Sequence, residues 1–472
     1  MKRSLFFSVL CATVFPLAAQ TPISDMGTNV YQGYQGGLYP GGSNVPPTKH
    51  RQAAINAANK VKPLDQTGVE SMHGAIGVIS IGMSNTTQEF RALERAQDLS
   101  PTRNGSVVFI NGAKSAVTAE RWSNPTDPIW AELDARISSA GLSAEQVQVA
   151  WVKLAQAEPL LSFPQHAELL RDQIAQTMRH AKARFPNLRL AFLSNRIYGG
   201  YTSNTKRGEP LSFETGFAVK WLIEQQISGD PTLNHAAHLG TVTAPVLLWA
   251  NDLWANGSTP RPDGLTWLPE DYEADFIHPS NLGEQKIAEL WANTMAASPA
   301  IKPWLKEHGC QQTIIALPAE ADAFVSARQP DSNFGAHTEL RVRGGSQPLY
   351  SFLRFRLPAL NQTVVRAHVT GYTVEGLTAQ AFRTSADFDE KDVTFRNAPV
   401  STGAASASVS QASNASSWRI DVTSLVNQAG TSPLVLMLSS ENSAGQSISS
   451  REGHGGPLLV LTLEKDAQKP CP

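Results

Sequence analysis

The sequence predicts two folds in series: a doubly wound, flavodoxin-like parallel α/β sheet, then an all-β jelly-roll sandwich. Three observations carry this. Between residues 68 and 305, apolar β-rich runs alternate with amphipathic stretches, the pattern of a parallel sheet covered by helices on both faces. From residue 310 onward no amphipathic helix stands out, and short alternating runs are separated by Gly, Asn, Ser and Pro. The length of 472 residues exceeds one ordinary domain, and 41% hydrophobic with 17% charged residues fits packed domains rather than disorder.

Taken in order, the chain opens with "MKRSLFFSVLCATVFPLAAQTP". Lys2 and Arg3, an apolar stretch from Leu5 to Leu17, and the exit Ala18-Ala19-Gln20 predict a secretory signal peptide over residues 1–20. The apolar run is short for a bilayer span, so no membrane anchor is expected after cleavage and the protein is expected to be secreted or periplasmic. Residues 21–67 are rich in Gly, Pro, Asn and Tyr and read as an extended arm, helical only around "RQAAINAANKV". The expected parallel strands are "GAIGVISIG", "SVVFING", "VQVAWVKLA", "LRLAFLSN" and "TAPVLLWAND". The helices are "TTQEFRALERAQDL", "PIWAELDARISSAG", "HAELLRDQIAQTMRHAKARF", "ETGFAVKWLIEQQI" and "NLGEQKIAELWANTM". The β domain, residues 310–472, is expected to use "ADAFVSA", "TELRVRG", "YSFLRFRL", "VVRAHVTGYTV", "TAQAFRT", "SSWRIDVTSLV", "PLVLMLSS" and "PLLVLTLE" as strands, with Trp418 in its core.

Charge and cysteine content narrow the function. Lys+Arg at 39 against Asp+Glu at 41, with no dense basic run, argue against a nucleic-acid partner. Once Cys11 leaves with the signal, Cys310 and Cys471 remain, and in an oxidising compartment they imply one disulfide clasping the ends of the β domain. The histidines lack metal-ligand spacing and the Asp residues form no calcium loop, so no cofactor is expected and no metal site is read from the sequence, with calcium binding by the β domain left open.

The chemistry centres on "AIGVISIGMSNTTQEF", where a β-branched run stops at Gly-Met-Ser-Asn and a helix follows. Ligands collect at the carboxyl ends of strands in such sheets, so Ser84 stands where a nucleophile would. A hydroxyl needs a base, an orienter for it and donors for the oxyanion. "YEADFIHPSNLGEQKIAELW" supplies Asp275 and His278, three apart, just before a helix that Ser280 or Asn281 can cap. The carboxylate then reaches Nδ1–H of the imidazole and leaves Nε2 for Ser84. Gly112, closing the second strand, is the candidate for a second oxyanion amide. His73 is the rival base, but it precedes its strand and belongs at the opposite edge of the sheet.

These residues resemble the SGNH, or GDSL-type, hydrolases, over about residues 74–295. Ser84 in "IGMSNT" is similar to the first block, with Met in place of the usual Asp; Gly112 in "NGAKS" to the second; Asp275 and His278 in "DFIHPSNLGEQKIA" to the fifth. The resemblance implies a Ser84–His278–Asp275 triad with oxyanion donors from Ser84 and Gly112. It also implies a third-block asparagine, and "AWVKLAQAEP" has none; Lys153 or, foremost, Gln156 is the expected substitute, the alternative being an oxyanion held by the Ser84 and Gly112 amides alone. Asn85, Trp122, Arg196 and Tyr198, in loops that also hold Trp130 and Tyr201, are the expected substrate contacts, since aromatic faces beside hydrogen-bonding groups suit sugar rings.

A second resemblance covers residues 321–464. "DAFVSARQPDSNFGAHTELRVRGG" and "ISSREGHGGPLLVLTL" are similar to DNRLRE-type domains, jelly-roll modules associated with polysaccharide binding, and Ser449-Ser450-Arg451-Glu452 is the most specific piece. Arg341 and Arg343, then Arg354 and Arg356, alternate along two strands, and each pair shares a face that can grip carboxylates of a polymer. The whole reads as a secreted serine esterase removing O-acyl, foremost acetyl, groups from a polysaccharide. An O-acetyltransferase using the same triad and a non-catalytic polysaccharide-binding surface protein are the alternatives.

Overall fold

The computed structural model describes residues 20–464 apart from 101, 159–160, 307–311, 361, 374–375, 411–416 and 430–432. Residues 1–19 of the expected signal peptide and both cysteines of the expected disulfide, Cys310 and Cys471, lie outside the described residues. The arm carries a short helix α1 (Ile23–Met26), a hairpin of β1 (Val30–Tyr31) and β2 (Tyr34–Gln35), and helix α2 (Thr48–Ala58). It lies against the α/β sheet, with Ile23 and Tyr39 buried on one side and Ala54 and Ala58 on the other.

Strands β3 (Ile76–Gly82), β4 (Val107–Ile110), β5 (Val147–Lys153), β6 (Leu190–Leu193) and β7 (Val246–Trp249) form one parallel sheet in the order β4-β3-β5-β6-β7. Every residue of these strands is buried. Period-two geometry sends alternate side chains to two separate cores. Ile76, Val78, Trp151 and Leu248 face one side, where helices α2, α3 (Ser84–Asp98) and α8 (Asn281–Ala297) pack through Phe90, Ile287 and Trp291. Ile79, Ile81, Val152 and Leu247 face the other, covered by α5 (Ile129–Ser139), α6 (Gln165–Arg184) and α7 (Leu211–Ile227). Short helices α4 (Ala119–Trp122) and α9 (Lys302–Leu305) fill the connections. The chain reverses direction across the sheet between β3, β4 and β5, a switch point where a crevice opens at the strand ends.

The C-terminal half is antiparallel throughout. Its strands are β8 (Thr313–Pro318), β9 (Ala321–Ser326), β10 (Glu339–Val342), β11 (Leu349–Phe355), β12 (Val364–Tyr372), β13 (Thr378–Thr384), β14 (Ser401–Ser410), β15 (Ser417–Asp421), β16 (Leu434–Ser439), β17 (Gln446–Ser449) and β18 (Leu458–Leu463). Five of them pair as β14-β13-β16-β11-β9 and four as β15-β12-β18-β8, with β10 and β17 as a separate ribbon. Trp418, fully buried, sits between the sheets with Val369, Leu436 and Leu461. One element departs from expectation. The run "SSWRIDVTSLV" leaves the sheet at Asp421, whose carboxylate accepts the Thr423 amide at 2.8 Å, and continues as helix α10 (Thr423–Ala429).

The two halves meet along α3. The outer face of the four-stranded sheet presents Ser417, Arg419, His368 and Tyr372, alternating with the inward Trp418, Ile420 and Val369. Arg419 Nη2 donates to Glu94 at 2.9 Å and Ser417 Oγ to the same carboxylate at 3.0 Å, while Asp98 pairs with Arg103 at 3.0 Å. Tyr372 donates its hydroxyl to the Arg91 carbonyl, and Arg95 donates to the Gly456 carbonyl. Glu94, Asp98, Arg103 and Arg419 are all buried, so this seam is ionic and dry.

Candidate active site

Helix α3 begins at Ser84, two residues past the carboxyl end of β3, with Met83 extended ahead of it. The first amides of a helix have no acceptor within it and carry the positive end of its dipole, so the Ser84 amide suits a developing negative charge. The partner loop is set by a local turn. Asp275 Oδ1 accepts the amides of Ile277 (2.9 Å) and His278 (3.0 Å), and Phe276 between them takes a positive φ of 54°. That conformation costs a bulky residue on the order of 1–3 kcal/mol, and the two amide bonds offset it. Ser280 then caps α8 through the Gly283 amide.

The result is a continuous chain of contacts. Asp275 Oδ2 lies 2.5 Å from His278 Nδ1, and His278 Nε2 lies 2.7 Å from Ser84 Oγ. Although partial burial raises the Asp275 carboxyl, the backbone amides of His278 and Ile277 and the imidazole itself hold it below the usual range. The carboxylate therefore stays ionised and fixes the tautomer that leaves Nε2 as acceptor for the serine proton. Ser84 and His278 are half-buried and Asp275 is exposed, so the corner is open to a ligand. His73 is exposed ahead of β3, away from this edge.

Several expected contacts are corrected by the geometry. The Gly112 amide donates at 3.0 Å to Ser80 Oγ, and Ala113 does the same at 3.1 Å, so Gly112 does not offer a free oxyanion donor. Its missing Cβ serves packing, since one built there would lie 2.4 Å from the Ser80 carbonyl oxygen. Asn85 is 3% exposed and its Nδ2 donates to the Ile277 carbonyl at 2.7 Å; it clamps the histidine loop onto α3 rather than meeting substrate. Trp122 is fully buried, its indole N–H on the Gly82 carbonyl and its ring against Trp130, so it has no face for a sugar. Arg196 is buried and donates to the Arg207 carbonyl. Gln156 is half-buried and donates to Gln173 at 3.4 Å. Tyr198 is half-buried among Tyr201 and Trp254, and Tyr201 in turn lies 6.2 Å from the Phe276 ring, which brings this aromatic group beside the histidine loop.

In the β domain, Arg341 bonds Glu339, Arg343 the Gln347 carbonyl, Arg354 Asp387 and the Phe388 carbonyl, and Arg356 Glu320. Each expected polymer-gripping guanidinium thus has a partner within its own domain.

One ion pair beneath the site was not anticipated, and it overturns Lys153 as an oxyanion donor. Lys153, closing β5, forms a buried ion pair with Glu89 of α3, five residues beyond Ser84, and Lys153 is therefore no free donor. Burial raises the Glu89 carboxyl, and Lys153, Arg196 and His278 pull it back. A lysine ending a wholly buried strand was the available signal, because a buried cation requires a buried counter-charge.

Residues 313–463 match the family model for carbohydrate-binding module family 96. That match covers the β-sandwich. No curated protein matches the chain. Similar solved structures include a carbohydrate esterase family 3 protein from Talaromyces cellulolyticus, at 15% identity over 47% of this chain and 96% of that one, TM-score 0.29. A GDSL-like lipase from Bacteroides thetaiotaomicron is similar at 10% identity over 52% and 95%, TM-score 0.28. A carbohydrate acetylesterase from Xanthomonas citri is similar at 9% identity over 81% and 80%, TM-score 0.27. Likeness at this level says nothing of activity. Among the described residues, no helix is long and apolar enough to cross a membrane.

Proposed function

We propose that this chain is a secreted serine esterase that removes O-acyl groups, acetyl foremost, from a polysaccharide. The observation that carries the reading is the contact chain Asp275–His278–Ser84, at 2.5 and 2.7 Å. In the first half-reaction Ser84 Oγ attacks the ester carbonyl and passes its proton to His278 Nε2. The imidazolium is stabilised by Asp275, and the oxyanion by the Ser84 amide at the amino end of α3. Collapse expels the sugar alkoxide, which takes the proton from His278, and leaves an acyl-serine. A water molecule, deprotonated by His278, then attacks that acyl group, and the carboxylic acid departs as the proton on His278 returns to Ser84 Oγ, the acid then ionising in solvent. Tyr198 and Tyr201, beside the histidine loop, supply an aromatic wall for the sugar. The sandwich, similar to a carbohydrate-binding module, keeps the polymer close and raises its local concentration.

The test is direct. Ser84→Ala is expected to lower p-nitrophenyl acetate hydrolysis by roughly 10⁴–10⁶-fold with the fold intact, and a fluorophosphonate probe is expected to label Ser84 in the parent and nothing in the variant. Acetate release from a panel of acetylated polysaccharides then identifies the glycan. Unchanged turnover in Ser84→Ala, or polymer retention without any labelling, would replace this reading with a binding protein.

A further inference from the structure

The Ser450-Arg451-Glu452 segment is the most specific motif of the β domain and has no part in the chemistry above. Its position links it to two other acidic residues far away in sequence. Asp322 lies on edge strand β9, Glu390 in the loop after β13, and Glu452 after β17. Oxygen atoms of the three carboxylates lie within 4.8 Å of one another. Asp322 shares with Phe324 the face of β9 that turns toward the sandwich core, and it is 1% exposed. Its Oδ2 accepts the Arg451 amide at 2.8 Å, but its Oδ1 is buried with no hydrogen-bond partner.

The trio is built rather than accidental. Glu390 accepts the Asp322 amide at 2.8 Å and the Arg451 guanidinium at 2.8 Å. Its own carbonyl is held by Asn333 Nδ2 at 2.8 Å, and a Cβ on Gly335 would come within 2.0 Å of that carbonyl oxygen. Only glycine at 335 lets the Glu390 loop close over Asp322. Among the described residues, Arg451 is the cation paired with the group: Nη1 on Glu390, and Nε 3.6 Å from Glu452. Three carboxylates against one guanidinium leave two negative charges, and a buried carboxylate oxygen without a partner is costly.

We infer that Asp322, Glu390 and Glu452 form a binding site for a hard divalent cation of the calcium class, tying together three segments of the β-sandwich. All-oxygen ligands exclude a preference for soft metals, and carboxylates drawn from one strand and two loops suit the variable coordination of calcium better than the tight octahedron of magnesium. The cation takes up the Asp322 oxygen that the protein leaves unpartnered and balances the two residual charges.

The experiment uses the full chain, stripped with EDTA and titrated with CaCl2 by calorimetry and by thermal unfolding. Binding of one ion at roughly 10⁻⁴–10⁻³ M is expected, in the range of extracellular calcium modules. At about tenfold excess over Kd, the unfolding transition of the β domain is expected to rise by roughly 3–6 °C. Asp322→Asn keeps the shape and removes the charge. It is expected to lose the calcium response while being no less stable than the parent in EDTA. Should that variant fail to fold, Glu452→Gln, on the exposed side, decides the matter with an expected weakening of about tenfold or more. No heat and no shift up to about 10 mM calcium would overturn the proposal. So would an undiminished response in Glu452→Gln, or an equal response to magnesium at matched ionic strength, which marks simple screening of an acidic cluster.

Discussion

At the amino end of α3, Ser84 stands half-exposed beside an imidazole and a carboxylate that water reaches; toward its carboxyl end, Glu94 and Asp98 are sealed beneath the β-sandwich with Arg103, Arg419 and His368. The two regions treat similar groups in opposite ways. Asp275 keeps its charge because backbone amides solvate it. In the seam, burial pushes Glu94 up to about 7 although Arg419 pulls the other way, and burial with Arg419 nearby lowers His368 to about 4. The lesson is that hydrogen bonds from the main chain prepare a side chain for chemistry, whereas a dry charge network prepares it for holding two bodies together.

That contrast is open to attack at each end. The largest effect is expected from Asp275→Asn, which leaves His278 in place but without its orienting charge. Turnover of p-nitrophenyl acetate should fall by about 10⁴-fold with the unfolding midpoint little changed, and a loss of less than about tenfold would remove Asp275 from the mechanism. Next comes Arg419→Ala, which removes the buried guanidinium facing Glu94 and Asp98 and leaves Glu94 with the Ser417 hydroxyl and Asp98 with Arg103. Denaturant unfolding should show a loss of about 3–5 kcal/mol, while kcat per folded molecule stays within about twofold, because the substitution lies at the far end of the helix from Ser84. If activity fell and stability did not, the seam and the serine corner would not be separate regions.

The smallest effect concerns pH. His368 has a folded pKa below its unfolded value of 6.5, so its contribution to stability is present above 6.5 and is lost as pH falls through about 4. Parent protein should lose roughly 2–3 kcal/mol from this group between those limits. His368→Asn should flatten that part of the acid limb in a series of thermal melts, and an unaltered limb would show that the imidazole is not held neutral.

Much of this was legible in the sequence because the relevant forces are local. Five strands buried on both faces read as continuous apolar runs, and all five form the sheet. Asp275 and His278 were legible because their contact closes within one turn. Trp418 follows from alternation along β15. What escaped depended on distant partners. Asn85 looks like a site residue by position, and only the fold brings it to Ile277, 192 residues away. Gly112 looks like an oxyanion amide until Ser80 takes it. Strand β14, "STGAASASVS", is too polar and too small in its side chains to announce itself, and it is defined by pairing with β13. Of the arginine pairs, Arg341 and Arg354 lie in β10 and β11 while Arg343 and Arg356 fall one residue past their ends, and period-two spacing says nothing of the partners that occupy them.

The docking of α3 has one mechanical consequence. A domain on a loose tether sweeps a wide volume, but this β-sandwich is fastened along the same rod that carries Ser84. Its bearing relative to the serine is fixed, so a polymer strand laid on the sandwich would approach from a set direction. What such an arrangement offers is aim rather than reach.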